Sequence, residues 1–345
     1  MAKDLFTRPY GRFYYLANYL AECGHNVQLV LMSYRKNENQ SRKEKYLNIK
    51  SISLLPNPVH ALLTAYHEAK ESNADWIFGF SDTYYGIMAA YFARLLKKKS
   101  LVDAYDNYEA YISFAKPLHW IWRSAIRKAD LVTCAGPGLG DLFRQAGRTG
   151  RIEIVPMTAD PTGFSPMSKQ ESRRSLELPV EKKLVGYHGS IHHSRDINVL
   201  FDAVRELKEN GSDITLVLSG RYSRNVNLPD DVLYLGYLAD EKMPCFINSM
   251  DVIAVPNRRS VFGEHSYPIK IYEAMACKVP VVATKTRATE WILKHHPELL
   301  VPANTPKSFA EAIIKVIDMD KVEYEPIPTW NNLAEQLNSY ITGSI

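Results

Sequence analysis

Residues 263–284 read GEHSYPIKIYEAMACKVPVVAT, and this segment indicates the fold most clearly. It predicts a loop, a helix over 269–276 and a buried strand over the β-branched run at 279–283. Pro268 suits the first helical turn, because the ring fixes φ near its helical value and the missing N–H would have no helical partner there. A helix that leads directly into a buried strand is the repeating unit of parallel α/β sheets.

The same alternation of short β-branched runs and amphipathic patterns extends along almost the whole chain. Predicted strands lie at 26–32, 76–80, 100–104, 131–134, 152–156, 183–188, 214–219, 232–235, 252–256 and 279–283. Predicted helices lie at 12–23, 59–72, 86–97, 198–210 and 269–276. We therefore expect an α/β protein with two Rossmann-like domains that face each other across a cleft lined by the carboxyl ends of both sheets.

Three prolines and a glycine crowd residues 156–166, which indicates a boundary between the two halves. Near the C-terminus, Thr329 can cap a last helix over 330–341, whose apolar residues at 333, 337 and 341 recur at four-residue spacing. The predicted organisation is an N-terminal Rossmann-like domain over 1–160, a C-terminal Rossmann-like domain over 161–328, and a helix over 329–345.

The composition is that of an ordinary globular chain: 345 residues, 46% hydrophobic and 23% charged, suit two domains and exclude disorder, collagen-like repeats and a small disulfide scaffold. The net charge of +4 is unevenly distributed, because residues 1–160 carry 21 Lys+Arg against 15 Asp+Glu and the remainder carries 21 against 23. The first half is therefore basic and the second slightly acidic.

Charged residues interrupt the only apolar candidate for a signal core near the N-terminus, and no run of about 18 apolar residues suggests a membrane span. The expected location is therefore the cytoplasm. The four cysteines have no C-x-x-C spacing, so neither disulfides nor a cysteine metal site is expected. The histidines at 188, 192 and 193 likewise lack the carboxylate pattern of a metal site.

The start of the helix at 269–276 suits an anion, because a first turn exposes unbonded backbone N–H groups and the positive end of the helix dipole. Lys270 adds a full positive charge there, and Glu273, three residues later, lies on the same face. A phosphate could bind the amides and Lys270 while Glu273 accepts hydrogen bonds from two vicinal hydroxyls. The alternative is an ordinary i,i+3 ion pair on a solvated helix.

The segment resembles the donor-binding motif of retaining GT-B glycosyltransferases of family 4, P-x-K-x-x-E-x-M-A followed by a proline-containing strand. The matching residues are Pro268, Lys270, Glu273, Met275, Ala276 and Pro280. Further family landmarks follow the same order over most of the chain: GHNV at 24–27, ADLV at 129–132, IVPMTADPTGFSP at 154–166, LGY at 235–237, DVIAVP at 251–256 and the helix start at 329–330.

The resemblance implies a role for each matched position. Lys270 and Arg195 would bind the donor diphosphate, Glu273 the ribose, and Tyr237 and Leu238 the base. Around them, the implied donor-binding residues are His188, Gly189, Ser190, Pro268 and Ile269. The acceptor side would hold Arg8, Tyr10 and Gly11 in a glycine loop, with Asp82 and the catalytic candidate Asp106 after first-domain strands.

Three positions depart from the family pattern. The family's first glutamate of its E-x7-E pair is His265 here, with Glu264 one position early, so either the loop shifts or His265 takes the role of contacting the sugar. Ser190 replaces an arginine after the loop glycine, and Lys278 replaces the glycine that ends the donor helix. These departures leave the identity of the sugar open.

The resemblance implies transfer of a sugar, with retention of configuration, from a UDP- or GDP-sugar to a hydroxyl acceptor in the synthesis of cell-surface polysaccharide or glycoconjugate. The acceptor would be a glycan, a lipid-linked molecule or a small molecule, and neither a cofactor nor an obligatory metal is implied. Two alternatives stay open: a nucleotide-sugar epimerase of similar fold, and a catalytically inactive sugar-nucleotide-binding protein.

The basic residues of the first half allow two interpretations. Lysines at 97–99 and cations at 116, 123, 127 and 128 accompany aromatic residues at 114, 120 and 122. They form either a solvated face or a surface for anionic lipid, which would place the chain peripherally at the inner face of a membrane. Nucleic acid is not an expected partner, because the basic excess is modest and no reading motif accompanies it.

The N-terminus leaves one expectation about the first sheet. A strand normally precedes the glycine loop of such a fold, and only residues 1–7 are available for it. Either this strand is lost or shortened, or the chain begins late.

Overall fold

A computed structural model of the chain describes residues 6, 11–36, 39–80, 83–159 and 163–343. The predicted site residues Arg8, Tyr10 and Asp82 lie outside the described residues, as does the segment expected to hold a first strand. The chain divides into two compact units, one of Met1–Pro156 with Pro328–Ile345 and one of Met157–Ile327.

The first break between the units falls after Pro156, four residues before the predicted boundary at 160. Pro156 belongs to the first unit because its carbonyl accepts a hydrogen bond of 2.8 Å from the buried Arg12 guanidinium. The second break falls before Pro328, one residue earlier than the predicted end of the C-terminal domain at 328. This proline directly precedes Thr329, the cap of the last helix.

The first unit contains two sheets. Its elements up to the first break are α1 (Arg12–Glu22), β1 (Val27–Lys36), β2 (Gln40–Lys43), β3 (Leu47–Leu55), α2 (Pro58–Glu71), β4 (Trp76–Gly79), α3 (Thr83–Leu96), β5 (Lys99–Ala104), α4 (Tyr108–Tyr111), α5 (Lys116–Lys128), β6 (Leu131–Cys134), α6 (Pro137–Gln145) and β7 (Ile152–Ile154). One sheet has the order β1-β3-β2 and the other the order β4-β5-β6-β7, parallel throughout. The predicted strands and helices of this half are confirmed, with ends shifted by a few residues.

Strands β2 and β3 were not predicted from the sequence. β3 pairs with β1 in parallel and with β2 in antiparallel register. Its buried residues begin with the alternation of Leu47 and Ile49, but the charged run around it and the polar Ser51 on the buried face hide the pattern of a strand.

The second unit has one six-stranded sheet of order β10-β9-β8-β11-β12-β13, with all pairs parallel. Its elements are α7 (Lys169–Ser175), β8 (Lys183–His188), α8 (Ile197–Glu209), β9 (Ile214–Ser219), β10 (Leu233–Tyr234), α9 (Met243–Asn248), β11 (Val252–Val255), α10 (Ile269–Ala276), β12 (Val281–Thr284), α11 (Arg287–Ile292), β13 (Leu300–Val301) and α12 (Pro306–Val316). In order of sequence the strands lie 3-2-1-4-5-6, so the direction of winding reverses between β8 and β11. Ligands of such sheets bind beyond the carboxyl ends of the strands at this reversal.

The interior of the second unit explains its continuous apolar strands. Every residue of β9, β11 and β12 is buried, as expected where helices cover both faces of a parallel sheet. The sheet therefore presents a rigid edge at which the loops after β8 and β11 are held in place.

The last helix, α13 (Trp330–Thr342), lies against α1 in the first unit. Thr329 caps it as predicted, in a reciprocal box in which its side chain accepts from the Asn332 N–H. Trp330 is fully buried and stacks on Tyr15 of α1, with ring centroids 5.7 Å apart. Leu333 and Leu337, two of the apolar residues at four-residue spacing, are buried. The spacing therefore correctly predicted which face of α13 packs against the rest of the unit.

Candidate functional site

Three loops of the second unit meet at the carboxyl edge of its sheet, after β8, β9 and β10. Gly189 directly follows β8 with φ +111°, and its N–H donates to Ser219 O at 2.9 Å. Gly220 follows β9 with φ +138°, and its N–H donates to Gly236 O at 2.8 Å. A Cβ on Gly220 would fall on the Gly189 carbonyl oxygen, so the close approach of these loops requires glycine.

Helix α10 begins beside this edge. Its first helical residue is Ile269, and Pro268 is the N-cap with ψ 117°, one position earlier than predicted. The proline is extended rather than helical, and its carbonyl accepts from the Ile271 N–H at 3.1 Å. No side chain of the described residues caps this helix end. Its first-turn amides and the positive end of its dipole therefore suit an anion.

Lys270 lies under the Gly189 turn. Its Nζ donates to His188 O at 2.6 Å and lies 4.2 Å from the centroid of the Tyr187 ring. A Cβ on Gly189 would lie 3.2 Å from this Nζ, so a side chain there would crowd the ammonium group. Burial and the positive charge of Arg195 lower the pKa of Lys270 to about 7, although Glu273 opposes the shift.

His188 and Glu273 complete the centre of the site. His188 Nε2 lies 3.5 Å from Glu273 Oε2, and both side chains are at least 86% buried. Burial, reinforced by Lys270, lowers the pKa of His188 to about 3, so the imidazole is neutral near pH 7. The arrangement contradicts the alternative of a solvated i,i+3 pair, because Lys270 reaches the backbone of β8 and Glu273 lies beside the buried histidine.

The second cationic candidate, Arg195, lies in the short 3-10 turn that follows the Gly189 loop. Its guanidinium carbon is 5.5 Å from the centroid of the Phe262 ring, in the loop that precedes α10. Since Arg195 also lowers the pKa of Lys270, the two cations act on one region. Two neighbouring positive charges with a neutral histidine favour an anionic ligand there.

The structure distinguishes His265 from Glu264. The Glu264 carboxylate accepts from Arg259 Nε and from the Arg287 N–H, both at 2.9 Å, so it fastens the loop to the start of α11. His265 is buried, and its Nδ1 lies 3.0 Å from Val261 O. A carbonyl only accepts, so Nδ1 carries a proton, and in the neutral ring Nε2 is an acceptor. Among the described residues, Nε2 has no hydrogen-bond partner.

The positions predicted for the base and for the loop serine have different surroundings. Tyr237 is 47% exposed, with the Arg221 guanidinium carbon 5.1 Å from its ring centroid. Leu238 packs against the core of the unit. The Ser190 carbonyl accepts from Tyr187 Oη at 2.6 Å, which joins the loop to the ring beneath Lys270.

In the first unit, the acceptor-side candidates flank a buried ion pair that the sequence did not predict. Gly11, with φ +92°, is the N-cap of α1, and Asp106 lies just after β5. Arg12, the residue after Gly11, donates from Nε and Nη2 to the two oxygens of Asp103 in β5, at 2.8 and 2.7 Å. Thr133 also donates to Asp103, at 2.6 Å. An aspartate within an apolar strand could have indicated a buried ion pair. Its partner Arg12 could not be identified from the sequence, because it lies 91 residues away.

The described residues form neither a metal site nor a membrane-spanning helix. None of the groups of His, Cys, Asp and Glu that they form could hold a metal ion. Among the same residues, every helix is too short or too polar to cross a bilayer.

Two family descriptions match the chain. Glycosyltransferase Family 4 matches residues 12–162, and Glycosyl transferases group 1 matches residues 182–319. The chain therefore belongs to the group 1, family 4 glycosyltransferases, and its fold is GT-B.

Curated relatives carry related names. The chain is 27% identical over 219 residues to D-inositol 3-phosphate glycosyltransferase of Corynebacterium jeikeium. The aligned segment covers 55% of this chain and 51% of the relative. It is 26% identical over 196 residues to the lipopolysaccharide core biosynthesis mannosyltransferase LpsB of Rhizobium meliloti, covering 50% of this chain and 54% of the relative. The chain thus spans about half the length of the curated relatives it matches.

Solved structures support the fold over the whole chain. Sucrose-phosphate synthase from Thermosynechococcus elongatus matches with TM-score 0.78 and 16% identity, covering 96% of this chain and 92% of that one. HepE of Anabaena, in complex with UDP and glucose, matches with TM-score 0.68 and 15% identity, covering 92% and 95%.

Proposed function

We propose that the protein is a glycosyltransferase that moves a sugar from a nucleotide-diphosphate sugar to a hydroxyl acceptor. The observation that carries this proposal is the position of Lys270, whose ammonium group is held under the Gly189 turn at the reversal point of the sheet. The first turn of α10, Lys270 and Arg195 would bind the diphosphate. Glu273 would accept hydrogen bonds from the ribose hydroxyls, with Tyr237 and Leu238 beside the base.

The proposed chemical step rests on the charge that the site can stabilise and on the resemblance to a family of retaining enzymes. As the bond between the anomeric carbon and the diphosphate oxygen breaks, negative charge grows on the leaving group, and Lys270 and Arg195 would stabilise that charge. The acceptor oxygen bonds the same face of the anomeric carbon, and its proton passes to the departing phosphate oxygen. Configuration is retained, and no covalent enzyme intermediate forms.

The donor and acceptor are proposed by chemical class. UDP- and GDP-sugars are the proposed donors, and the UDP and UDP-glucose complexes of the structural neighbour HepE favour the uridine nucleotide. The proposed acceptor is a glycan, a lipid-linked molecule or a small molecule, met on the side of Gly11 and Asp106. Transfer without a metal stays part of the proposal, and turnover after dialysis against EDTA tests it.

The decisive experiment measures donor turnover and UDP binding by Lys270→Ala and Glu273→Ala variants, with Lys285→Ala, an exposed lysine of the same unit, as control. We expect transfer to fall about 10²–10³-fold in Lys270→Ala, because removing one preorganised group that stabilises transition-state charge costs that much. In Glu273→Ala it should fall about 10–100-fold, because hydrogen bonds between the carboxylate and the ribose are lost. Circular dichroism should be unchanged in both. Wild-type turnover in both variants would contradict the site.

The same assay separates the two alternatives. An epimerase would convert the donor sugar in the absence of acceptor. An inactive binding protein would bind donor in calorimetry with neither transfer nor slow hydrolysis. Release of UDP or GDP that depends on an added acceptor supports the transferase.

A further inference from the structure

Large apolar side chains are unusually exposed in one segment of the first unit, from the end of α4 into α5. Tyr111 is 75% exposed, Phe114 86%, Trp120 69% and Ile121 53%. Single exposed apolar residues are common, but four within eleven positions form a patch of the kind that marks an interaction surface.

The charged residues of α5, which lie around this patch, are all positive. Helix α5 has the sequence KPLHWIWRSAIRK, which contains four cations and no acidic residue. At helical spacing, Lys116 lies four residues before Trp120, and Arg123 and Arg127 lie three and seven after it, so the tryptophan stands on a basic stripe. Glu109 pairs with Arg123, at 2.5 and 2.8 Å, and leaves the other three cations to set the charge of the exposed face.

The exposure of Trp120 is built into the packing of α5. Trp122, two positions later, is 2% exposed and packs edge-on against Tyr108, with ring centroids 5.6 Å apart. A Cβ on Gly86 of α3 would fall on the Trp122 ring, so the glycine allows the two helices to approach closely. The buried tryptophan fixes the rotation of α5 and directs Trp120 away from the core.

The neighbouring helix extends the apolar surface. α3 packs beside α5, and its residues Tyr91 and Leu95, four positions apart, are 60% and 51% exposed. The lysines at 97 and 98 follow directly at the end of α3. The aromatic–basic surface, defined as the exposed residues of 111–128 with Tyr91 and Leu95, therefore includes residues of three helices, α3, α4 and α5, and the loop before α5.

We propose that the aromatic–basic surface docks the first unit on an anionic phospholipid bilayer. Tyrosine, phenylalanine and tryptophan side chains partition to the headgroup boundary, and the surrounding cations attract anionic lipid. A second copy of this chain fits less well, because a two-fold interface would bring the same cations opposite one another. The proposal deepens the proposed function, on which its link to a lipid-linked acceptor rests.

Vesicle co-sedimentation tests this docking without requiring turnover. Full-length protein is mixed with vesicles of phosphatidylcholine containing about 30% phosphatidylglycerol, and with vesicles of phosphatidylcholine alone. We expect binding to the anionic vesicles that is at least about tenfold stronger and that weakens in 0.5 M salt, because the cations act through screened attraction.

Two variants assign the binding to the surface. Phe114→Ser/Trp120→Ser should reduce binding to anionic vesicles at least about tenfold, and Lys116→Gln/Lys128→Gln should reduce it about fivefold or more. Ile314→Ser, at an exposed apolar position of α12 in the other unit, should leave it unchanged. Circular dichroism and denaturant unfolding of each variant serve as the folding control, and its UDP affinity reports the donor site separately.

Three results would overturn the docking proposal. The first is equal binding to the two vesicle types. The second is binding that survives both double variants. The third is a stable dimer in solution, with no vesicle binding, that the Phe114→Ser/Trp120→Ser change dissociates. Loss of vesicle binding with intact acceptor-dependent turnover would leave the proposed function standing, whereas vesicle binding without turnover would leave only the docking.

Discussion

Two buried cations, Arg12 in the first unit and Lys270 in the second, have opposite surroundings. The Arg12 guanidinium donates to both oxygens of Asp103 and to the Pro156 carbonyl, and the carboxylate outweighs the cost of burial, so the pKa of Arg12 is raised. Lys270 donates to a neutral carbonyl, and burial together with the nearby charge of Arg195 lowers its pKa to about 7. The protein therefore supplies Arg12 with a carboxylate of opposite charge, whereas Lys270 receives only a neutral hydrogen-bond acceptor.

The difference separates a structural cation from a binding cation. A buried charge whose hydrogen bonds are met by the protein fixes local geometry, and its loss leaves an uncompensated partner. A buried charge that the protein opposes lowers stability until an anion arrives, which is the expected compromise at a binding site. By this criterion, Arg12 is a structural cation that fixes the start of α1 to β5, and Lys270 has the surroundings expected of the phosphate-binding cation that we propose.

The largest expected effect comes from breaking the structural pair. Arg12→Ala should lower the unfolding free energy of the first unit by about 3–5 kcal/mol, because Asp103 would stay buried without its cation. Denaturant unfolding followed by tryptophan fluorescence measures the change, since Trp122 and Trp330 are buried in this unit.

The control for this prediction removes both charges. Arg12→Met/Asp103→Leu should recover a large part of the lost stability, because replacing a buried pair by apolar residues is often close to neutral. A single variant as stable as the wild type would show that Arg12 does not have the structural role assigned to it.

The binding cation is tested through pH. The pKa of free Lys270, about 7, should rise when a diphosphate binds, so UDP affinity should fall between pH 7 and 9 as the ammonium group deprotonates. Lys270→Met should bind UDP about 10–100-fold more weakly near pH 7, since a charge-assisted hydrogen bond contributes about 1.5–3 kcal/mol. Titration calorimetry in buffers of different ionisation enthalpy measures the proton taken up.

The stability of the ligand-free protein should change with pH in the direction opposite to that of UDP affinity, and Lys270 is the cause of both dependences. The pKa of Lys270 is lowered from 10.5 in the unfolded chain to about 7 in the fold, so the unfolded state binds more protons between these values and stability rises with pH. Lys270→Met should remove this slope and leave stability near pH 7 equal or higher. A strongly destabilised variant would identify Lys270 as a structural cation like Arg12.

Substitution of His265 has a smaller expected effect, and it tests whether this residue binds the sugar or the nucleotide of the donor. If Nε2 accepts a hydroxyl of the donor sugar, His265→Phe should weaken binding of the UDP-sugar about five- to tenfold, the value of roughly one hydrogen bond. Binding of UDP should be unchanged, because UDP lacks that hydroxyl. Equal weakening for both ligands would assign His265 to the shape of the loop instead.

The sequence predicted the second unit more completely than the first, for a physical reason. Lys270 and Glu273 lie within one helix and His188 ends an apolar strand, so short-range pattern and family motif suffice to name them. The Arg12–Asp103 pair and the partners of β3 depend on contacts far apart in sequence, and no local pattern encodes them.

The identity of the site residues could be predicted from the sequence, but the contacts between them could be found only from the structure. The sequence left open whether His265 or Glu264 contacts the sugar, and only the contacts of Glu264 with Arg259 and the Arg287 N–H show that it is occupied. The proximity of Lys270 to the Gly189 turn depends on a positive φ and on two loops that meet, neither of which the residue types alone specify.

Lys278, at the other end of α10, is a half-buried cation, and its substitution gives the smallest expected effect. It adopts φ +59° where the family motif has glycine, and its Nζ bonds the exposed Glu323 at 2.6 Å. Lys278→Gly should stabilise the second unit by about 0.5 kcal/mol, because relief of left-handed strain slightly exceeds a surface ion pair worth 0–1 kcal/mol. Lys278→Ala, which loses the pair and keeps the strain, should destabilise it by about the same amount. Thermal unfolding of both variants measures the difference, and a glycine variant no more stable than the alanine variant would contradict the assignment of strain to this position. An alanine variant destabilised by about 3 kcal/mol or more would instead make Lys278 a structural cation like Arg12.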